Sequence, residues 1–125
     1  MTTSHVARAY IDAVGERDLA PLETLFHADL VAKVGDDTFD KAGWLRGLGR
    51  LLPALVRNDI RHVSSDGEQA VVVYDFVTDT SAGSVPCAEL VTVRDGAIMR
   101  IELIFERLHW PAVLDALQQR AAGAS

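Results

Sequence analysis

The sequence predicts an α+β fold, in which three N-terminal helices pack on a strongly curved, mainly antiparallel sheet and a C-terminal helix follows. The result would be a cone-shaped barrel with an apolar pocket. Apolar residues recur with helical spacing over the first 55 positions, whereas positions 60–107 are rich in Val, Ile, Phe and Tyr. With 125 residues, the chain has the length of one domain, and we assign residues 1–125 to it.

Two helices are predicted before the first strand. Ser4 can act as N-cap of the first helix, and Gly15 can end it. The apolar stripe of this helix is Val6, Ala9, Tyr10, Ala13 and Val14. The second helix begins after Asp18 and carries Pro21 in its first turn, where proline is tolerated. Its apolar residues are Leu19, Leu22, Leu25 and Phe26.

A short strand and a third helix are predicted next. Residues Leu30–Val34 alternate as a strand does, and the Gly-Asp-Asp sequence at 35–37 turns the chain. Asp40 is the expected N-cap of the third helix, and Pro53 is expected to kink or end it. The apolar stripe is Trp44, Leu48, Leu51, Leu52 and Leu55. Three glycines weaken this helix by about 1 kcal/mol each, so it needs a broad apolar partner.

The second half of the chain predicts a four-stranded antiparallel meander. Its strands are Ile60–Ser65, Glu68–Thr78, Val85–Arg94 and Ala97–Arg107. The first two strands are joined through Asp66-Gly67 and the last two through Asp95-Gly96, and Asp-Gly is the strongest short hairpin signal. A final helix is predicted over His109–Arg120.

The register of the last hairpin decides which face of the sheet holds Glu89. A two-residue loop would place Glu89 opposite Glu102 and Val91 opposite Arg100, which pairs like charges. We therefore favour a three-residue loop of residues 94–96. One face then carries Val85, Cys87, Glu89, Val91 and Val93 with Met99, Ile101, Leu103 and Phe105, and the other carries Leu90, Thr92, Ile98, Arg100, Glu102, Ile104 and Glu106.

In this register Glu89 is the single ionisable group on an apolar face. Burial of a carboxyl raises its pKa, so Glu89 could stay protonated near neutral pH and donate a hydrogen bond to a ligand oxygen or transfer a proton. The structural alternative is that Glu89 lies at a strand end or pairs with an arginine.

Composition excludes several classes of partner. A net charge of −6 argues against nucleic acid, whose binding requires clustered Lys and Arg. The basic residues Arg46, Arg50, Arg57 and Arg61 are interpreted as a solvated helix face. With Cys87 as the one cysteine of the chain, no internal disulfide can form.

No metal, cofactor or membrane segment is predicted. The four histidines are dispersed, and no metal-binding spacing, phosphate loop or dinucleotide fingerprint is present. The N-terminus lacks the apolar run of a signal peptide, and no segment has the roughly 20 apolar residues needed to span a bilayer. We therefore expect a cytoplasmic protein without cofactors.

Four segments carry a resemblance to a known family. They are Val6–Val14 (VARAYIDAV), Arg17–Leu22 (RDLAPL), Leu25–Leu30 (LFHADL) and Val93–Ile98 (VRDGAI). Their order and spacing resemble the nuclear-transport-factor-2-like superfamily, which includes SnoaL-like polyketide cyclases, ketosteroid isomerases and limonene epoxide hydrolases. The resemblance covers residues 4 to about 107. It implies three helices over a bent mixed sheet, commonly as a homodimer.

The resemblance also implies roles for particular residues. Tyr10 falls at the position of the oxyanion-hole tyrosine of ketosteroid isomerases, and Glu89 falls near their hydrogen-bonding acid. Their catalytic aspartate on strand one corresponds here to Val34, while Asp36 and Asp37 lie in the following turn. The cyclase pattern fits no better, because the inward positions of the last strand are apolar, and the epoxide-hydrolase pattern is weakest, because Arg100 faces outward.

These residues define a hypothesis about function. Tyr10 and Glu89 would polarise a carbonyl oxygen, and Asp75 or a water molecule would move a proton. Whether Asp75 or Tyr74 points inward is left open. The predicted ligand-binding residues are Trp44, Val91, Ile101, Leu103 and Phe105.

Two functions are compatible with such a pocket. One is a cofactor-independent isomerase or cyclase that acts on a small apolar carbonyl compound, and the other is a non-catalytic ligand-binding or scaffold module. In either case the expected partners are a small apolar ligand and a second copy of the chain, bound through the outer face of the sheet.

Overall fold

A computed structural model describes residues 2–123, which form helices packed on one six-stranded sheet. The helices are α1 (Thr3–Gly15), α2 (Leu22–Leu25), α3 (Lys41–Leu51) and α4 (Trp110–Gly123), and a 3-10 turn spans Leu52–Ala54. The strands are β1 (Phe26–Val34), β2 (Asp37–Phe39), β3 (Leu55–Asp66), β4 (Gln69–Thr78), β5 (Ser84–Arg94) and β6 (Ala97–Phe105). The predicted α+β class is confirmed.

The sheet is antiparallel except for one pair of strands. Its order is β2-β1-β6-β5-β4-β3, and β1 runs parallel to β6. The predicted meander is therefore present as β3 to β6, with β3 beginning at Leu55, five residues before the predicted start. The sequence does not predict the short strand β2: its first residue, Asp37, is assigned to the turn but pairs with Val34, and the turn consists of Gly35 and Asp36.

Helix α1 packs its apolar stripe on the sheet. Tyr10, Ile11 and Val14 are buried, and α1 contacts β3, β4 and β5. Its N-cap is Thr2 rather than the predicted Ser4, since the Thr2 hydroxyl accepts a hydrogen bond from the His5 amide at 3.1 Å. The Ser4 hydroxyl instead bonds to Ser65 at 2.6 Å and ties the helix to β3.

The second predicted helix is shorter than expected. It is reduced to the single turn of α2, and β1 begins at Phe26, four residues before the predicted strand. Tertiary pairing explains the difference, because Phe26 pairs with Ile98 of β6. Lys41 holds this segment in place through hydrogen bonds from its ammonium to the carbonyl oxygens of Glu23 (2.7 Å) and Phe26 (3.2 Å).

Helix α3 begins and ends where the sequence predicts. The Asp40 carboxylate accepts a hydrogen bond from the Gly43 amide at 2.8 Å, so Asp40 is the N-cap. Pro53 lies in the 3-10 turn that follows the helix. Trp44 and Leu48 are buried, and α3 contacts β1 and β2.

The loop of the last hairpin differs from the prediction. Asp95 and Gly96 form a two-residue loop, both with positive φ (55° and 78°), and Arg94 pairs with Ala97. The predicted three-residue loop is therefore wrong. Positive φ at both central residues is the geometry that suits a tight hairpin, and Asp-Gly adopts it readily.

A β-bulge in this hairpin brings the residues of β5 and β6 beyond it onto the sheet faces that were predicted for them. Val93 pairs with Ile98, whereas Thr92 pairs with Arg100, so Met99 is the extra residue. As a result Ile98 is fully buried, although it was predicted to face outward. Beyond the bulge the pairs are Cys87–Phe105, Glu89–Leu103 and Val91–Ile101, which share one face as predicted.

Helix α4 lies across the chain segment that follows α3. Val113 is fully buried, and the Trp110 ring packs against the rings of Phe105 (4.9 Å between centroids) and Phe76 (6.0 Å). The Arg120 guanidinium donates to the Pro53 carbonyl oxygen at 2.8 Å. Within residues 2–123, no helix combines the length and the apolar character needed to cross a bilayer.

Candidate functional site

A cavity of about 890 Å³ lies between the inner face of the sheet and helices α1, α3 and α4. Most of its wall is apolar. The wall residues include Ile11, Val14, Val34, Phe39, Trp44, Leu48, Leu51, Phe76, Leu103, Phe105, Trp110, Leu114 and Leu117. Exposed lining residues from β2, the end of α3, the segment after β6 and α4 mark its mouth.

Four polar side chains form a connected network at the buried end of this cavity. Glu89 is 1 % exposed and accepts two hydrogen bonds, from the Tyr10 hydroxyl to Oε1 at 2.7 Å and from the Tyr74 hydroxyl to Oε2 at 2.5 Å. The Trp44 indole N–H donates to the Tyr10 oxygen at 3.1 Å. The carboxyl therefore has one donor on each oxygen, and one of those donors is itself oriented by Trp44.

Strand and helix periodicity bring these four groups together. Tyr10 lies on the buried stripe of α1, and Trp44 lies on the buried side of α3. Tyr74 on β4 pairs with Cys87, which is two residues from Glu89 on β5, so Tyr74 and Glu89 point to the same side of the sheet. Each member of the network therefore comes from a different element.

Burial controls the ionisation of Glu89. Removal of the carboxyl from water raises the pKa of Glu89 to about 7, although the hydrogen bonds from Tyr74 and Tyr10 favour the charged form and oppose this rise. At neutral pH the carboxyl is therefore present in both protonation states. A pKa in this range suits a group that both accepts and returns a proton.

The other ionisable side chains around Glu89, two tyrosines and one cysteine, are in their neutral forms. Burial raises the pKa of Tyr10 and the pKa of Tyr74 well above 10, and the adjacent Glu89 charge raises them further. Burial also raises the pKa of the Cys87 thiol to about 12, with a further contribution from Glu89. Both tyrosines are thus hydrogen-bond donors at physiological pH, and Cys87 is an unreactive thiol.

The predicted ligand-binding residues divide into two groups. Trp44, Leu103 and Phe105 line the cavity. Val91 and Ile101 share the inner face with them, but they are core residues and do not line the cavity. The prediction that these two form its wall is wrong, because a common face does not fix how far along the strands the helices cover the sheet.

Asp75, the third predicted catalytic residue, lies on the outer face. Its carboxylate is 3.3 Å from the Arg61 guanidinium, and its side chain is 27 % exposed. Tyr74 occupies the inward position that the sequence left open. The catalytic role offered to Asp75 is therefore wrong, because side chains alternate along β4 and Tyr74, not Asp75, shares its face with the buried Val72 and Phe76.

Sequence reasoning missed two parts of the site. Tyr74 could have been found from the alternation of β4, because it lies two residues from Val72 and two from Phe76. The contribution of α4 and of arginines 50, 107 and 120 to the cavity mouth had no signal in the sequence. Within the part of the chain that the structure describes, no group of three or more His, Cys, Asp or Glu side chains is arranged to hold a metal ion.

Comparison with known proteins identifies the family. Residues 7–101 match the model of the SnoaL-like domain, so the chain belongs to the SnoaL-like domain family. This confirms the resemblance drawn from the four sequence segments. Comparison with curated protein sequences gives no match.

Solved structures show the same fold. A protein from Kribbella flavida is 24 % identical with a TM-score of 0.81, and the match covers 94 % of this chain and 99 % of that one. A steroid delta-isomerase from Pseudomonas aeruginosa is 16 % identical (TM-score 0.74; 98 % and 93 % covered). IdmH, a putative polyketide cyclase from Streptomyces antibioticus, is 18 % identical (TM-score 0.74; 92 % and 99 % covered). The fold is also that of an NTF2-like protein from Cytophaga hutchinsonii, which is 12 % identical (TM-score 0.69; 86 % and 92 % covered).

Proposed function

We propose that this protein is a cofactor-independent acid–base enzyme that isomerises or cyclises a small, mostly apolar carbonyl compound. The observation that carries the proposal is the position of Glu89, a carboxyl with a pKa of about 7 at the buried end of an apolar cavity. The SnoaL-like family and the steroid isomerase and polyketide cyclase among the structural relatives support the same class of reaction.

Glu89 is the group that moves the proton in this proposal. The hydrogen bonds from Tyr10 and Tyr74 leave further lone pairs on both carboxylate oxygens. The ionised carboxylate removes a proton from the carbon next to the substrate carbonyl: the C–H bond breaks, an O–H bond forms on Glu89, and the electron pair moves through the new C=C bond onto the carbonyl oxygen. In a β,γ-unsaturated ketone this enolate is conjugated with the existing C=C bond, so return of the proton from Glu89 to the γ carbon re-forms the C=O bond, moves the C=C bond next to it and completes an isomerisation.

The tyrosines supply the stabilisation of the enolate oxygen. Once Glu89 is protonated, it no longer requires a donor on each oxygen, and the Tyr10 hydroxyl can turn toward the enolate. Trp44 keeps the Tyr10 oxygen in position through its 3.1 Å hydrogen bond. A hydroxyl donor aimed at developing negative charge in a water-poor site is worth far more than the same donor in water.

Hydrogen–deuterium exchange tests this proposal without knowledge of the natural substrate. In deuterated buffer the wild-type protein should accelerate exchange of the α-protons of 2-tetralone, followed by proton NMR. Glu89→Gln should lower this rate by about 100-fold or more, since general acid–base catalysis contributes about 10²–10⁴. Glu68→Gln, an exposed acid on the β3–β4 hairpin, is the matched control. Equal rates in wild type and Glu89→Gln would refute the proposal.

The pH profile distinguishes the base role of Glu89 from a donor role. A base must be ionised, so the exchange rate should rise with pH and level off above the Glu89 pKa of about 7. A rate that instead falls through pH 7 would show that the protonated carboxyl is the active form and would overturn the base role.

A non-catalytic ligand-binding module is the second candidate function. The observation in its favour is that Val34, which lines the cavity, occupies the position that the ketosteroid isomerase resemblance assigns to a catalytic aspartate. A binding module would take up 2-tetralone, seen as a shift of the Trp44 indole resonance, with no exchange in either wild type or Glu89→Gln.

We further propose that the protein is a homodimer through the outer face of its sheet. Leu90 and Ile104 are exposed apolar residues on adjacent strands of that face. Sedimentation at micromolar concentration should give a dimer for wild type and a monomer for Ile104→Lys. Leu108→Lys, at an exposed apolar residue after β6, should leave the dimer intact. A monomeric wild type would exclude this assembly.

A further inference from the structure

The mouth of the cavity is basic, although the chain as a whole carries a net charge of −6. Its charged lining residues are three arginines and one aspartate, namely Arg50, Arg107, Arg120 and Asp37. They come from the end of α3, the segment after β6, α4 and β2. An excess of arginine at this place is not a consequence of composition, since acids outnumber bases over the whole sequence.

Arg50 and Arg107 have guanidinium donors that are free to bind a ligand, whereas Arg120 does not. Arg120 is engaged with the Pro53 carbonyl oxygen and lies 2.7 Å from the Asp79 carboxylate. Within residues 2–123, the guanidinium groups of Arg50 and Arg107 make no hydrogen bond or ion pair, and neither is paired with Asp37.

Local packing directs Arg107 to the mouth. Its guanidinium lies over the Phe105 ring at 5.2 Å from the centroid, and Phe105 is itself part of the cavity wall. The same group rests on Gly35, where a Cβ atom would come within 2.9 Å of Nη2. The donors of Arg107 are therefore held at the mouth, between the β1–β2 turn and the end of β6.

We propose that the ligand of this cavity is an amphipathic oxo acid, whose carboxylate binds Arg50 and Arg107 at the mouth while its carbonyl end reaches Glu89. The inference rests on the proposed function for the carbonyl end. The carboxylate cannot occupy the buried end, because desolvation and the like charge of Glu89 both disfavour it there. Arginine suits the other end, because its planar guanidinium matches carboxylate geometry.

A pair of probes that differ only in charge tests the inference. 6-Acetyl-2-naphthoic acid carries a ketone at one end and a carboxylate at the other, and its methyl ester is the neutral match. By calorimetry at low ionic strength, wild type should bind the acid about tenfold more tightly than the ester, since exposed ion pairs each contribute up to about fivefold. This ratio should fall as salt is added.

Arginine variants locate the source of the preference. In the double variant Arg50→Gln/Arg107→Gln the ratio of acid to ester affinity should fall to about one, because loss of the Arg107 packing on Phe105 acts on both ligands, whereas loss of the charges acts on the acid. Arg8→Gln, at an exposed arginine of α1, is the control and should retain the wild-type ratio. A ratio near one in wild type, or an unchanged ratio in the double variant, would overturn the inference.

The outcome is separable from that of the proposed enzyme activity. The acid-to-ester ratio is compared between wild type and the arginine variants, whereas α-proton exchange is compared between wild type and Glu89→Gln. If wild type catalyses exchange of 2-tetralone but does not distinguish acid from ester, the enzyme proposal is supported and the carboxylate site is refuted. If the acid is preferred but no exchange occurs, the carboxylate site is supported and the enzyme proposal is refuted.

Discussion

Two acids on opposite faces of the sheet differ in burial and in the partners of their carboxyl groups. Glu89 on β5 faces the cavity, is 1 % exposed and accepts hydrogen bonds from two tyrosines. Asp75 on the neighbouring strand β4 faces outward, where its partly exposed carboxylate lies beside Arg61. Both acids interrupt runs of apolar residues, so both are candidates for the pocket on sequence grounds. The direction of the side chain decides which of them has unusual chemistry.

The difference lies in the partners that each environment supplies. The inner face offers Glu89 neutral donors and no compensating cation among the hydrogen bonds and ion pairs of residues 2–123, so the charged form remains costly and its pKa rises. The outer face offers Asp75 a guanidinium and water. An isolated acid in a cavity is therefore a candidate for proton transfer, whereas an ion-paired acid at the surface is a structural group.

The largest expected effect of this contrast is on the pH dependence of stability. The folded-state pKa of Glu89 is about 7, above the ordinary 4.5, so between these values the native state holds a proton that the unfolded state has released. Stability should therefore decline as pH rises from 4.5 to 7, by about 3 kcal/mol in all, and stay at the lower level above pH 7. Urea unfolding from pH 4.5 to 8.5 measures this decline.

Glu89→Gln isolates the contribution of this one carboxyl. From pH 4.5 to 8.5 its free energy of unfolding should fall by about 3 kcal/mol less than that of wild type. The free energy of unfolding of Glu68→Gln should fall as much as that of wild type. Parallel curves for wild type and Glu89→Gln would mean that Glu89 is not the buried titrating group.

The next effect in size comes from the two tyrosines. Tyr74→Phe removes a donor to the charged form of Glu89, so it should raise the pKa of Glu89 above about 7 and destabilise the protein by about 2 kcal/mol at pH 8. Tyr10→Phe should cost more, because it also leaves the buried Trp44 N–H without an acceptor. Carboxyl-carbon NMR titration gives the pKa, and urea unfolding gives the free energy.

Acidic conditions provide the internal comparison for these variants. At pH 5 the carboxyl is protonated in the folded state, so the cost of Tyr74→Phe should be smaller than at pH 8. An equal cost at both values would assign the effect to packing rather than to the hydrogen bond with the carboxylate.

The smallest expected effect is on the outer face. Asp75→Asn removes one ion pair with Arg61 at a partly exposed position and should change the free energy of unfolding by less than about 1 kcal/mol. Addition of salt should reduce even this difference. If Asp75→Asn lowered the free energy of unfolding as much as Tyr10→Phe, the conclusion that Asp75 is a weakly coupled surface acid would be wrong.

Local sequence signals predicted the helices and hairpins well and the cavity in part. Asp40 and Pro53 bound α3 as predicted, since a cap and a proline act within one turn of the chain. The last hairpin shows the limit of local reasoning. Its Asp-Gly loop is the two-residue type that Asp-Gly favours, and the bulge at Met99 that reconciles this loop with an apolar inner face had no separate signal.

The sequence by itself determined the α+β class and the bounds of α3 at Asp40 and Pro53, because periodicity, caps and prolines act over a few residues. The inward direction of Glu89 follows from the alternation of β5, but its pairing with Leu103 depends on the bulge at Met99. Tertiary structure alone decided that Tyr10, Tyr74 and Trp44 meet at Glu89, and that α4 and three arginines lie at the mouth. These contacts join elements that are distant in the chain. They depend on how far each helix extends over the sheet, which packing of the whole core sets and no local pattern records.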